Sequence, residues 1–395
     1  MVQSAFNSED NHVVPLLPEP TIHPTDLGAR RHGCNATLAR NLASRVHSSN
    51  VIGLQFRYFQ PPMRASVVIP CYRPDANFEK MLGDLNAQTC QDFDVVLADD
   101  GNTPPLAARV KATLKRPHRV IRFEQNRGIV AGLNACIADV RAPVVIRMDA
   151  DDRMPPDRIE RQLAYLDNHP EVDVVGASMA VFGSGLRMWT KPTSHHDICA
   201  SLLWAPGLNH PTVAARTQVL QDHPYEEGHH LAEDYALWLA LAQQGATFAN
   251  DPFCAVYYRM EGQNTSQNGA QARLERYVSM HQHAIHMLLP HADAAELTPG
   301  LTNGAHQVLA GMCALHDPKS PGLDKVKQHA EALLRALEAH GDRHPEGAWI
   351  QAATHATRTR LARVEANTRW HKLEGVRNLR LLRVSDWLAL LRRDR

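Results

Sequence analysis

Val144-Val145-Ile146-Arg147-Met148-Asp149-Ala150-Asp151-Asp152 decides the reading of this chain: an apolar run that closes on three carboxylates. A second run, Val95-Val96-Leu97-Ala98, closes on Asp99-Asp100-Gly101. Short apolar runs of this length read as buried strands. Two that end in clustered acids place several negative charges at one edge of a sheet. Like charges so close repel, and a divalent cation carrying a polyphosphate ligand resolves the repulsion. The pattern points to an enzyme that uses a nucleotide donor.

Outward from this stretch the alternation continues. Ala65-Ser66-Val67-Val68-Ile69 is a strand closed by Pro70. Phe78, Met81, Leu82 and Leu85 then fall on one helical face behind Asp75 or Asn77 as a cap. Val120–Phe123 is a further strand, and Ile129, Leu133, Cys136 and Ile137 stripe the next helix. Pro155-Pro156 opens a helix bearing Ile159, Leu163 and Leu166, ahead of a strand at Val172–Val175. Strands alternating with helices predict an α/β fold, a mostly parallel sheet flanked by helices on both faces. In such sheets ligands bind beyond the carboxyl ends of the strands, where the acidic clusters lie.

Past residue 176 longer loops lead to a helix bearing Leu231, Tyr235, Trp238, Leu239 and Ala242, and beyond residue 270 the pattern is helical and strand-poor. The expected organisation is a flexible leader over 1–63, an α/β catalytic domain over 64–270 and a helical region over 271–395.

Lys+Arg and Asp+Glu balance at 42 each, so no global field recruits nucleic acid. Seven scattered cysteines without zinc-ligand spacing read as reduced thiols. No stretch approaches the ~20 apolar residues of a spanning helix, and the start lacks a signal layout. The expected location is cytoplasmic. The tail, Trp370–Arg395, sets Leu379, Leu382, Trp387 and Leu391 among arginines. Peripheral contact with anionic lipid on the inner membrane face and docking on its own protein are both open. His281, His283 and His286 have no neighbouring acid or cysteine and read as ordinary helix residues rather than a metal site.

Seven segments together carry a family resemblance. They are Ser66–Tyr72, Leu97–Asn102, Asn126-Arg127-Gly128 with Asn134, Met148–Asp152, Asn209–Thr212, Ala232–Tyr235 with Trp238, and Tyr258-Arg259 with Thr265-Ser266. In this order they resemble the inverting, GT-A-fold glycosyltransferases of family 2, over roughly residues 65–266. The resemblance implies a Rossmann-like nucleotide-sugar transferase sheet with a helical C-terminal extension. It implies a nucleoside-diphosphate sugar donor, a glycan or lipid-linked acceptor, and Mn²⁺ or Mg²⁺. Pro70, Tyr72, Asp99, Asp100, Arg127 and Asp149 would then bind the nucleotide sugar. Asp149 and Asp151 would be the DxD pair holding metal, with Asp152 an alternative oxygen. Asp234 would be the general base, with Glu233, His210 and Trp238 on the acceptor side. For Trp238, core packing is the stronger of its two readings, and for His210, holding its loop.

Backbone N–H groups at Asn126-Arg127-Gly128 precede a helix and could face an anion. Glu261 stands where relatives often carry a metal-binding histidine, and as a hard oxygen ligand it could replace it. Two alternatives remain beside the transferase. A nucleotidyltransferase would need a glycine-rich phosphate loop where Pro70-Cys71-Tyr72-Arg73-Pro74 sits. A catalytically impaired sugar-nucleotide-binding scaffold of a polysaccharide assembly system would not need Asp149, Asp151 and Asp234.

Overall fold

The computed structural model describes residues 63–182, 187–229, 231–259, 270–302, 304–310, 321–343 and 347–374. The expected leader (but for Met63), Glu261, Thr265-Ser266 and residues 375–395 of the tail lie outside the described residues.

Four parallel strands form the half of the sheet that the alternation predicts. They are β1 (Ala65–Cys71), β2 (Phe93–Asp100), β3 (His118–Phe123) and β4 (Val144–Arg147), side by side as β3-β2-β1-β4. Successive side chains point to opposite faces, and the two cores follow from that. Val67, Ile69, Val95, Leu97 and Ile146 pack on one face with Phe78, Met81, Leu82 and Leu85 of α1 (Phe78–Asn86). A short α2 (Ala107–Thr113) follows β2. Val68, Val96, Ala98 and Val145 pack on the other face with Leu133, Cys136 and Ile137 of α3 (Ile129–Asp139). After β4 comes α4 (Arg158–Asn168), the helix expected behind Pro155-Pro156.

The sheet then continues where sequence periodicity is silent. β5 runs Val174–Phe182, well past the expected end at Val175, and pairs with β6 (Arg187–Trp189), β7 (Ala214–Arg216) and β8 (Phe248–Arg259). β7 is antiparallel to β4 and joins the two halves, while β8 lies parallel to β5. The sheet is therefore mixed but mostly parallel.

Between these strands lie α5 (His195–Ser201), a 3₁₀ turn at His210–Thr212, α6 (Thr217–Asp222) and α7 (Glu233–Gln243). The helix expected from Leu231 starts two residues later, because Leu231 sits at φ 69, outside helical space. The chain closes with α8 (Ala270–Leu288), α9 (Ala294–Thr302), α10 (Ala305–Leu309), α11 (Leu323–Arg343) and α12 (Ala348–Glu374). Among the described residues, no helix is long and apolar enough to cross a membrane.

Inside this helical layer three histidines form a buried row. His281 Nε2 is bonded to the Trp204 carbonyl, its ring meets that of His306 at 4.0 Å, and His306 Nδ1 lies 3.2 Å from His329 Nε2. His281 is thus a core group, whereas His283 is half-buried and His286 exposed. The three do not converge.

Candidate active site

The first acidic cluster, at the end of β2, is saturated from within. Asp99 is fully buried. Its Oδ1 accepts from the Asn102 amide N–H (3.2 Å) and from Asn102 Nδ2 (2.7 Å) and forms an ion pair with Arg122 Nη1 (2.9 Å); its Oδ2 accepts from the Leu106 N–H (2.9 Å). Asp100 accepts from the N–H groups of Arg127 (2.6 Å) and Gly128 (3.0 Å) and from Asn126 Nδ2 (2.7 Å). The N–H groups of Arg127 and Gly128, expected to face an anion, are therefore turned onto a carboxylate of the protein itself. Gly101 makes this closure possible. It lies at φ +74, and a Cβ there would sit 2.5 Å from the Asn126 nitrogen.

Around this clasp, Asn102 also donates to the Cys71 carbonyl (2.9 Å) and accepts from the Arg73 N–H (2.6 Å). Tyr72 stands exposed at the rim, beyond Pro70 at the end of β1. The Arg127 guanidinium lies over the Phe123 ring, 4.8 Å from its centroid.

The second cluster, beyond β4, is the opposite case. Asp149 accepts from Arg147 Nη1, which reaches over from the strand itself. Asp152 is 1% exposed, and its Oδ2 has no hydrogen-bond partner among the described residues; its Oδ1 accepts from the Arg259 N–H at the end of β8 (3.3 Å). Burial, then the charges of Asp149 and Asp151, push the Asp152 carboxyl well above the usual range. Asp151 is raised to about 6 by burial and by the charge of Asp149. Carboxyls that stay buried with uncompensated neighbours favour protonation or a cation.

Among the described residues, no group of three or more His, Cys, Asp or Glu side chains is arranged to enclose a metal. The donor set nonetheless fits a hard divalent cation, since an unpartnered carboxylate oxygen stands among three acids. Magnesium-like ions use one or two carboxylates and complete their shell with phosphate and water.

Helix α7 brings a third acidic group to this edge. Glu233 and Asp234 occupy its first turn, where the macrodipole favours negative charge. Even so, burial and the charge of Glu233 raise Asp234 to about 7, and burial raises Glu233. Among the described residues, Glu233 Oε2 has no hydrogen-bond partner.

Beneath the acids, His210 Nε2 and the Tyr225 hydroxyl lie 2.7 Å apart, and both groups are buried. Burial and the Arg147 charge hold His210 well below its usual pKa, so it is neutral. It braces the loop. Trp238 is fully buried and meets His210 edge-on at 6.1 Å, so it offers no face to a sugar and belongs to the core.

Two arginines escape the sequence pattern. Arg147 interrupts an apolar strand and reads there as noise, yet it lies buried among the acids. Arg158 is fully buried behind it. Its guanidinium donates to the carbonyls of Arg147 (2.7 Å) and Pro211 (2.9 Å) and so ties the acidic strand end to the 3₁₀ turn.

Comparison with known proteins gives this geometry a context. A sequence model described as "Glycosyl transferase family 2" matches residues 66–223. An uncharacterized glycosyltransferase of Haemophilus influenzae is 37% identical over 183 residues, covering 45% of this chain and 67% of that protein. The amylovoran biosynthesis glycosyltransferase AmsE of Erwinia amylovora is 34% identical over 198 residues, covering 47% of this chain and 73% of its own. Among solved structures, S. aureus TarS 1–349 in complex with UDP-GlcNAc overlaps at a TM-score of 0.47 and 17% identity, over 78% of this chain and 92% of that one.

Proposed function

The chain belongs to glycosyltransferase family 2, and from that premise we propose that it is an inverting, metal-dependent transferase moving one sugar from a nucleoside diphosphate to an acceptor hydroxyl. The carrying observation is the meeting at one sheet edge of three strand-end carboxylates with the Glu233–Asp234 pair.

In this reading Asp234 accepts the proton of the acceptor hydroxyl as that oxygen forms its bond to the anomeric carbon. The bond from that carbon to the diphosphate oxygen breaks, and its electron pair leaves with the diphosphate. Attack opposite the leaving group inverts the anomeric centre. A carboxylate near pKa 7 is matched to such proton transfer at neutral pH. Asp151 and Asp149 would hold the divalent cation, which when bound stabilises negative charge on the departing diphosphate. Tyr72 and Pro70, at the rim of β1, would meet the nucleoside. Asp100 would serve it indirectly, by fixing the turn that carries Arg127. The polysaccharide role of AmsE suggests a glycan or lipid-linked acceptor here as well.

The test is a screen of nucleoside-diphosphate sugars for Mn²⁺-dependent transfer and hydrolysis, using the native chain, Asp151→Asn and Asp234→Asn. Donor binding should be lost in the first variant. In the second, turnover should be lost with binding kept. No binding of any sugar nucleotide by the native chain would overturn the reading.

A further inference from the structure

The turn after β1 carries an arginine where its backbone suits glycine. Arg73 lies at φ 49, in the left-handed region that strains a residue with a side chain. A buried amide keeps it there. Asn102 donates through Nδ2 to the Cys71 carbonyl (2.9 Å) and to Asp99 (2.7 Å), which turns its Oδ1 onto the Arg73 N–H at 2.6 Å. Successive side chains of a strand point to opposite faces. The left-handed turn is what lets Arg73 fold back over its own neighbour, with its guanidinium 4.9 Å from the centre of the exposed Tyr72 ring. Strain held in place by its surroundings collects at ligand clamps.

The charges nearby set Arg73 apart. At the same sheet edge Arg122 is paired with Asp99, Arg147 with Asp149 and Arg259 with Asp75. Among the described residues the exposed Arg73 guanidinium has neither an ion pair nor a hydrogen bond. A guanidinium stacked on a ring keeps its in-plane N–H groups free, in a fork that matches phosphate. The loop also leads the right way. Asp75, two residues on, is tied to Arg259, whose N–H reaches Asp152 (3.3 Å). Residues 72–75 therefore run from the rim of β1 to the second acidic cluster. A diphosphate joining a nucleoside at Tyr72 to a cation at Asp149 and Asp151 would pass along them.

We propose that Arg73 is a further donor-binding residue: its guanidinium, folded back over Tyr72, takes a phosphate oxygen of the nucleoside diphosphate on its way to the cation. The proposal rests on the transferase reading. The end of β2 then presents an arginine on each side, since Asp100 takes the N–H of Arg127 and Asn102 that of Arg73, and each guanidinium lies over a ring.

The experiment compares the full chain with Arg73→Gly and Arg73→Lys by calorimetric titration of UDP, GDP, CDP, ADP and dTDP in the presence of Mn²⁺. The comparison uses the nucleotide that the native chain binds best. Glycine relaxes the backbone, so Arg73→Gly should hold or raise the unfolding temperature. Its affinity for that nucleotide should nonetheless fall about tenfold, the worth of one charge-assisted hydrogen bond, and the Lys variant should recover part of the loss. The loss should shrink from about 0.05 to about 0.5 M NaCl, as an exposed ionic contact is screened.

Native binding with an unaltered affinity in Arg73→Gly would overturn the proposal and leave the transferase reading standing. So would a loss of the same size at both salt concentrations, which would mean that Arg73 only props the Tyr72 ring. Should the Gly variant not fold, Arg73→Asn, which also tolerates the left-handed region, takes its place with the same outcomes. A native chain that binds none of these nucleotides would overturn the transferase reading and the role of Arg73 with it.

Discussion

The two acidic strand ends look alike in sequence and are opposite in structure. At Asp99-Asp100 every carboxylate oxygen accepts at least one hydrogen bond from the protein. At Asp149–Asp152 a buried oxygen is left over, and burial, then the charge of Asp149, pushes the Asp151 and Asp152 carboxyls upward. The first cluster stabilises a loop. The second keeps a buried carboxylate oxygen that no described residue partners. What separates structure from function is thus the balance of donors around the acids, and this is invisible in the acidic residues themselves.

Substitutions should pull the two clusters apart. The largest effect belongs to the unsatisfied site. Asp151→Asn and Asp234→Asn should each lower transfer by about 10³-fold, while the unfolding temperature holds or rises, because a repelling charge is removed. Asp99→Ala should reverse the pattern. It strips several buried hydrogen bonds and leaves Arg122 without its anion, at a cost of about 3 kcal/mol in stability by chemical denaturation. Turnover per folded molecule should stay within about tenfold, since nothing at Asp149–Asp152 changes.

Acid should act through the histidine row. Burial lowers His281 and His329 to about 4 and holds His306 well below its usual range. The unfolded chain therefore binds protons near pH 6.5 that the folded chain refuses. Stability is intact above that pH and falls as pH drops toward 4, by about 2 kcal/mol at pH 5 for each of His281 and His329. His306→Phe should flatten this slope in urea unfolding at pH 7.5 and 5. The smallest effect is on rate: with Asp234 near 7, kcat should fall about tenfold per pH unit below that value, and a rate flat from pH 7 to 5 would remove Asp234 as the base.

The parallel half of the sheet was legible because each element carries its own period: Val95–Ala98 as an unbroken apolar run, Phe78 to Leu85 as a helical face. β6 and β7, at three residues each, are too short to show alternation. β8 hides behind Asn250 and Pro252, and its pairing with β5 slips near Ser178. Asp149, Asp151 and Asp234 were singled out through a family likeness. Their electrostatics were not, because Arg147 and Tyr225 approach from a strand and a loop that carry no motif. Asp99 shows the reverse. The family likeness set it on the nucleotide-sugar side, and the structure surrounds its oxygens with Asn102, Leu106 and Arg122.

The most direct test sets the clusters side by side: unfolding temperature and Mn²⁺-dependent sugar transfer, measured together for Asp99→Asn and Asp151→Asn. The account predicts a lowered unfolding temperature with turnover kept in the first, and an unchanged or raised temperature with turnover gone in the second. An Asp151→Asn protein that still transfers sugar at the native rate would contradict it.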